Sequence, residues 1–567
     1  MSSIQGQGKT GFRLVIASVL TVLLLGFILG NPTGQAQAAT IAELRQSAAK
    51  GDPQAQYQLG HILYLGQGVP RDYKEAAKWF KQSADQGNSA AQTALGFAYM
   101  SGNGVEQNPK QAVYWWRKSA DQGSMQAQHM LGVSYSSGYV VNKDAAEAVA
   151  WWQKSADQGF PAAQYFLGMA YYSGTGVTKD QTLAFTWIRK AADNGYAPAQ
   201  HRVGIHYYNG IGVAKDPAAA VKWWKQAAGQ GNVASLAMVG FAYHFGHGVN
   251  QDQAEALKWW RKAADKGDSD AQTMLGVAYY EGQGIAKDQA QAIQWWLKAA
   301  NQGQMLAQHH LAFAYYRGEG VPQNHAEAVI WWQKAAEKGE PESQTMLGTA
   351  YFLGQGTTKD SKKAVMWWTK GAAQGNKVAQ YYLGVALSTG DGIVKDEAAA
   401  VSYWKKSAEQ AYIPAYVGLG QAYYKGQGVA KDYATAIKFY QKAMEKGNAA
   451  AQYHLGVAYY EGKGVDKSPK QAVKLWEPIA NKGYALAQFA LVEIVQDNLS
   501  VIDNYALAVV WRQDAAEKGN AQAQYYLGLA YANGWDVRQD RTEAVKWLKK
   551  SAQQGNDAAK AALKQLT

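Results

Sequence analysis

A Leu-Gly step recurs every 36 residues along nearly the whole chain, and so strict a period dictates an array of stacked units. The step falls at Leu59, Leu95, Leu131, Leu167, Leu275, Leu347, Leu383, Leu419, Leu455 and Leu527. Val203-Gly204, Val239-Gly240, Leu311-Ala312 and Leu491-Val492 stand in the intervening places, so fourteen copies run in phase without an insertion. A chain of 567 residues is also too long for one compact core, since cores stop growing at roughly 250–300 residues. Taking the Leu or Val of each step as the anchor, positions before and after it are written minus and plus.

Each unit carries two helical patterns. In Ala451-Gln-Tyr-His-Leu-Gly-Val-Ala-Tyr459 the residues at minus four, zero, plus three and plus four share one helical face. The second pattern is seen in Asp252-Gln-Ala-Glu-Ala-Leu-Lys-Trp-Trp260, with Ala at plus seventeen in every unit and bulky pairs after it, such as Trp115-Trp116 and Trp367-Trp368. Small residues let helices approach while indoles fill the space between them. G-x-G loops such as Gly66-Gln67-Gly68 join the two helices. A closing Gly (Gly87, Gly123, Gly159) suits a left-handed cap, with Ala411 as the one replacement.

The order A-x-x-x-L-G-x-x-Y, G-x-G-V, D-x-x-x-A-x-x-W and A-A-x-x-G resembles the Sel-1-like repeat family, a relative of the tetratricopeptide repeats, over roughly residues 51 to 556. The resemblance implies an all-α, right-handed superhelical solenoid of about fourteen 36-residue helical hairpins, and members that act as adaptors for macromolecular complexes. Exported bacterial members are associated with envelope processes and host contact. Some cysteine-rich relatives have been described as binding β-lactams, but this chain has no Cys and does not share that feature.

The N-terminus reads as a targeting segment. Lys9 and Arg13 precede the uncharged, largely apolar run Leu14 to Leu29, and Ala36-Gln37-Ala38 fits the small-x-small cleavage rule. The run is shorter than the ~20 residues of a full membrane span. The expected organisation is a signal peptide over 1–38, an N-terminal half-repeat cap over 39–54, tandem repeats over 55–556 and a C-terminal capping helix over 557–567. The expected location is the periplasm of a Gram-negative bacterium or the medium, with no membrane span once the signal is removed. Cleavage would take two basic and no acidic residues, lowering the net charge only from +12 to +10. Lys and Arg do not gather in blocks, which argues against a nucleic-acid partner.

Recurring chemistry reduces to structure. Plus thirteen holds Asp72, Asn108, Asp144, Asp180, Asp216, Asp252, Asp288, Asn324, Asp360, Asp396, Asp432, Ser468, Asn504 and Asp540. Asn and Ser replace Asp freely there, as an N-cap allows and acid–base catalysis does not. Glu75, Glu147, Glu255 and Glu327, three residues on, are expected to complete capping boxes. The G-x-G loops lack a following G-K-[ST], and Ser402-Tyr403-Trp404-Lys405 lies in the ordinary second-helix pattern. His244 and His247 have ligand spacing without a second ligand pair. No catalytic, metal or cofactor residue is assigned.

What varies between units is the face at minus two, plus two and plus five. It reads Tyr57, Phe97, His129, Tyr165, Met169, Tyr172, His201, Tyr208, Phe241, His244, Tyr280, His309, Phe313, Tyr316, Phe352, Tyr381, Tyr424, Tyr453, Tyr460 and Tyr525. The resemblance puts this face on the concave surface, as a groove for a protein or peptide partner of the envelope or host. An envelope glycan stacked on the rings is the alternative, and packing against the neighbouring first helix is the structural reading. A face free of folding duties would let His309, Phe313 and Tyr316 change together without loss of stability, unlike the seam residue Tyr279. Pro478 and the stretch Leu491 to Asn504, which lacks the usual Tyr and loop glycines, mark a break in the pattern, with Arg512 in place of the second Trp. The cleavage motif expects a mature N-terminus at Ala39. N-terminal sequencing of the native protein checks it, and a chain beginning at Met1 or Ser2 would mean a retained anchor.

Overall fold

The computed structural model describes residues 34–497, 505–535 and 537–566. The basic start and apolar run of the targeting segment therefore lie outside the described residues, as do 498–504 of the break and Thr567. Ala36-Gln37-Ala38 falls within a helix, Gly34–Ala49, that precedes the first full hairpin. Among the described residues the chain is all helix, with no strand. It divides into two units, Met1–Asp288 and Gln289–Thr567. Each is an α-solenoid of two-helix repeats whose helices contact the next in sequence.

The hairpins are regular because each end is chemically marked. In the first unit, helices Ser89–Ser101 and Pro109–Asp121 form one hairpin. Asn108 caps the second of them, accepting from Gln111 N. The same position caps its helix in other repeats, as Asp72, Ser468 and Asp540 show. The expected capping boxes do not form. A capping box needs the N-cap N–H to reach the Glu side chain, but Asp72 N donates to Leu63 O and Asp144 N to Tyr135 O, both at plus four. That bond ties the loop back onto the first helix, and the glutamates turn elsewhere: Trp151 Nε1 donates to Glu147 Oε1 at 2.8 Å.

Inside each hairpin the Leu-Gly step has a physical meaning. The anchor is buried, and the adjoining Gly presents bare backbone to the inner indole of the second helix. A methyl on Gly348 would sit 2.6 Å from Trp368 Cδ1, well inside van der Waals contact. Phe80, Ile188, Tyr440 and Leu548 take the indole's place against Gly60, Gly168, Gly420 and Gly528. Ala312 carries the one methyl at this position among the described anchor steps, and Trp332 is still buried across from it. The Ala at plus seventeen is fully buried wherever it is described, from Ala76 to Ala544.

Neighbouring hairpins are joined by two features, one of which sequence reading assigned to turn chemistry. The second loop glycine is a contact point: a methyl on Gly320 would lie 2.6 Å from Gln289 O, at the start of the preceding second helix. The other feature is a buried glutamine at minus three. Gln92 Nε2 donates to Ala84 O of the preceding repeat at 3.1 Å, and Gln92 Oε1 accepts from Gln122 Nε2 at 2.8 Å. Gln344 repeats the pattern with Ala336 O and Gln374 in the second unit. Tyr416, in the same place, reaches the equivalent carbonyl of Ala408 with its hydroxyl. The amides of Gln92 and Gln344 are thus satisfied, as a dry interface favours, whereas among the described residues the side-chain oxygens of Gln308 and Gln488 find no partner.

Pro478 does not break its helix. Pro469–Ala480 runs through it and ends one residue short of its counterparts, at an Asn481 cap in right-handed geometry. A proline in the last turn forgoes its own bond to the carbonyl four residues back, a loss confined to the helix end. At the other end, Asp557–Leu566 closes the array with Ala559 buried.

Two substitutions test this account. Trp116, fully buried and lying on Gly96, should cost ~3–5 kcal/mol on replacement by Ala in urea unfolding. Ala411 takes the closing-Gly position at φ 57°, a left-handed conformation that costs a residue with a Cβ roughly 1–2 kcal/mol. Ala411→Gly should therefore raise stability by about 1 kcal/mol.

Candidate functional site: an aromatic cleft on the first helices

The variable face is built on the inner indoles rather than opposite them. Rings at plus two and plus five cover the inner aromatic of their own hairpin: Phe313 and Tyr316 lie 5.4 and 5.3 Å from Trp332. Phe241 and His244 lie 5.5 and 5.2 Å from Trp260. Tyr208–Trp224, Phe352–Trp368, Tyr424–Tyr440 and Tyr460–Trp476 repeat the arrangement at 5.4–6.4 Å. Met169, Tyr172 and Tyr280, at the same two positions, are half-buried as well.

Rings at minus two sit at the junction with the next repeat, against the residue that starts its first helix. Tyr165 meets Tyr196, Tyr381 meets Tyr412 and Tyr453 meets Tyr484, with centroids 5.5–6.0 Å apart. The starts formed by Phe160, Tyr196 and Tyr412 lack a side-chain cap, so an aromatic contact replaces a hydrogen bond there. Tyr57 lies against Phe80, and Tyr525 is half-buried beside Tyr526.

Three residues of the expected groove are corrected outright. Phe97 is 4% exposed, His129 0% and His309 9%, so none presents a surface to a partner. His129 is enclosed by Phe160 and Phe166. His309 joins Glu340 and Ser343, both buried, at the start of the next repeat. The separation expected between a stripe free of folding duties and the Tyr279 seam is also corrected, because Phe313 and Tyr316 roof a buried indole. Tyr279 itself is half-buried, its hydroxyl accepting from Arg261 Nη2 at 2.6 Å.

The set His309, Glu340 and Ser343 has the residue types of a hydrolytic relay but the wrong geometry. Nδ1 of His309 lies 3.0 Å from Glu340 Oε2 and 2.9 Å from Ser343 Oγ. A relay needs acid and nucleophile on opposite ring nitrogens. The same pairing recurs as His201 Nδ1 with Ser235 Oγ at 2.8 Å. Burial alone would push the Glu340 carboxyl up, but the His309 hydrogen bond and the Ser343 backbone N–H outweigh it and bring the pKa down to about 2. The cluster is a strong N-cap.

One part of the face is open. Between the hairpins anchored at Val203 and Val239 lies a cleft of about 300 Å³, lined by Tyr208, Trp224, Met238, Phe241, Phe245 and His247. Phe245 is 57% exposed and stacks on His247 at 5.6 Å. Tyr208 Oη and His247 Nδ1 are 2.7 Å apart, while His244 Nδ1 turns to Gln253 Oε1 at 2.8 Å. The two histidines thus have separate partners. Among the described residues no group of three or more His, Cys, Asp or Glu could hold a metal ion. Sequence reading found Tyr208, Phe241 and His244 but missed Met238 and Phe245. Phe245 follows the last periodic position of its helix, where other repeats carry Ser101, Ser137 or Glu281; that exchange was the available signal.

An all-α array of two-helix repeats, with its cores shared between neighbours and side-chain faces differing along its length, defines a solenoid of the kind that binds along a surface. The chain belongs to the Sel1 repeat family, whose profile matches thirteen times: at 53–88, 89–124, 126–160, 161–196, 197–232, 233–268, 269–304, 306–340, 341–376, 377–412, 413–448, 449–484 and 521–556. It passes over 485–520, where helices Ala485–Asp497 and Tyr505–Glu517 nevertheless stand in the two expected places. The crystal structure of a protective antigen present in uropathogenic Escherichia coli strains, displaying an SLR fold, is 34% identical with a TM-score of 0.65, covering 79% of this chain and 93% of that one. A Sel1 repeat protein from Oxalobacter formigenes is 32% identical with a TM-score of 0.43, covering 57% and 95%. None of the curated proteins compared matches the chain significantly. Sel1 repeats are in general non-catalytic scaffolds for protein–protein interaction. Among the described residues no helix is long and apolar enough to cross a membrane.

The buried histidines give the array a pH dependence. Burial lowers the pKa of His129 to about 3 and those of His201, His310 and His454 to about 4. The folded state then binds fewer protons than the unfolded one, so this contribution is whole above pH ~6.5 and is lost as pH falls toward 3–4. At pH 5 the fully buried His129 alone should remove about 2 kcal/mol relative to pH 7. His129→Phe, urea-unfolded at both pH values, should lose correspondingly less between them.

Proposed function

We propose that this chain is an exported, non-enzymatic scaffold of the bacterial cell envelope that binds a protein partner on its first-helix face. The observation that carries the reading is the open aromatic cleft beside Phe245. Most rings on this face cover an inner aromatic of their hairpin or sit at a junction between repeats, whereas Phe245 is more than half exposed at the rim of a space of side-chain size. Exposed aromatics around an apolar recess are the usual anchors of protein interfaces, where a few such groups supply most of the binding energy. Tyr208, Phe241 and Met238 line the recess, and Tyr208 and His247 supply polar groups beside it.

Export rests on the basic start, the apolar run and the Ala36-Gln37-Ala38 motif. It is supported by the likeness to a protective antigen of uropathogenic Escherichia coli.

The test is affinity capture from envelope extract with the full chain as bait. Phe245→Ser and Met238→Ser together should leave the chain folded at a somewhat lower melting temperature, because Phe245 is exposed while the half-buried Met238 packs against the core around Trp224 and Val239. The same pair should abolish recovery of the partner that the parent captures. Unchanged capture by a folded double variant would remove the cleft from the binding surface. Capture of polysaccharide in place of protein would favour the glycan alternative.

A further inference from the structure

A second cleft, of about 430 Å³, opens in the first unit where two successive repeats depart from the prevailing pattern. In several repeats the side chain at plus twenty-two reaches an acceptor four residues on. Lys81 Nζ pairs with Asp85 at 2.5 Å, Arg189 Nε with Asp193 at 2.9 Å, and Gln153 Nε2 donates to Asp157 at 2.7 Å. Gly229 stands where that carboxylate belongs. Lys225 therefore has no carboxylate four residues on, and donates to Tyr243 Oη at 2.9 Å. In the following hairpin the buried glutamine at minus three is replaced by Leu236, and its usual amide partner by Lys266. Neither the amide pair nor the bond to the preceding carbonyl, that of Ala228, can then form.

These exchanges open the cleft and set its chemistry. Lys225, Lys262 and Lys266 line it, against a single acid, Asp265. Leu236 and Trp259 supply apolar walls. Lys262 and Lys266 are exposed, and among the described residues neither joins a side-chain ion pair.

We infer that this cleft takes the carboxylate of a Glu or Asp side chain from an acidic peptide segment, with its methylenes against Leu236 and its charge among the three lysines. A sugar acid would need an open indole face for stacking, but Lys262 Nζ already lies over the Trp259 ring at 4.8 Å. The proposal deepens the protein-binding reading and rests on it, yet uses different residues from the aromatic cleft, so either can fail alone.

The chain's own repeats supply the test. Gly229→Asp with Lys266→Gln restores residue types found in other repeats and should fold at least as well as the parent, since Gly229 is the last residue of its helix and gains a side chain there. A fluorescently labelled hexaglutamate peptide, titrated with the full chain at low salt, should bind the parent and lose at least tenfold in affinity with the restored variant. Binding should also weaken as salt is raised. Lys362→Gln with Lys377→Gln, which removes the same net charge from exposed positions in the second unit, should change affinity less than twofold. Equal losses in the two variants would reduce the effect to general charge attraction and overturn the proposal. So would cleft-dependent binding of polygalacturonate without binding of the peptide. Should the restored variant fail to fold, Lys225→Gln with Lys262→Gln must show the same tenfold loss.

Discussion

The fold depends on an aromatic ring resting on bare backbone. With Trp116 over Gly96 or Tyr440 over Gly420, the two helices of a hairpin approach at a distance that a Cβ would forbid. The ring is then covered from the other side by the plus-two and plus-five residues of the same first helix, as Phe313 and Tyr316 cover Trp332. Once that spacing is set, the loop can close only if its carbonyls and amides are satisfied. The bond from Asp72 N to Leu63 O and its counterparts do this. The length of the unit follows from these contacts, which is why no copy carries an insertion.

Features repeated identically were legible because repetition removes the ambiguity of a single helix. An Asp that can become Asn or Ser in the same place is a cap, whatever its surroundings. What could not be read is which neighbour covers a given angle of the helix. A helical wheel places His129 and His309 on the same face as Tyr208, but only the stacked arrangement shows Phe160 closing over one and Glu340 over the other. The capping box failed for a related reason: Glu147 has the right spacing, yet the N–H it would need is already given to Tyr135 O. The buried glutamine was visible as a near-constant letter, but its meaning lies in a carbonyl eight residues back and an amide thirty residues on.

Because nearly every repeat solves the same packing problem, the places where one repeat solves it differently carry the information. The helix Val233–Phe245 is such a place. Its Met238, Phe241 and Phe245 line the aromatic cleft, while Leu236, on the other side of the same helix, lines the lysine cleft. Residues 236 and 238 are two apart and so point about 160° from one another. One helix therefore serves two recesses of different chemistry, one aromatic and one cationic.

Leu236 also shows that this specialisation runs against stability. A glutamine there would donate to Ala228 O and accept from a glutamine at 266, as its counterparts do in Gln92 and Gln344. Hydrogen bonds of this kind are worth roughly 0.5–1.5 kcal/mol each, and the leucine forgoes both. Tyr416 shows that a different side chain can keep the carbonyl bond when only packing is at issue. Two adjoining repeats that give up the amide pair between positions 236 and 266 and a carboxylate at 229 are not drifting at one position. Natural chains break their own local rules chiefly where a site requires it. The coincidence of these exchanges around one cleft fits a selected surface better than unrelated losses.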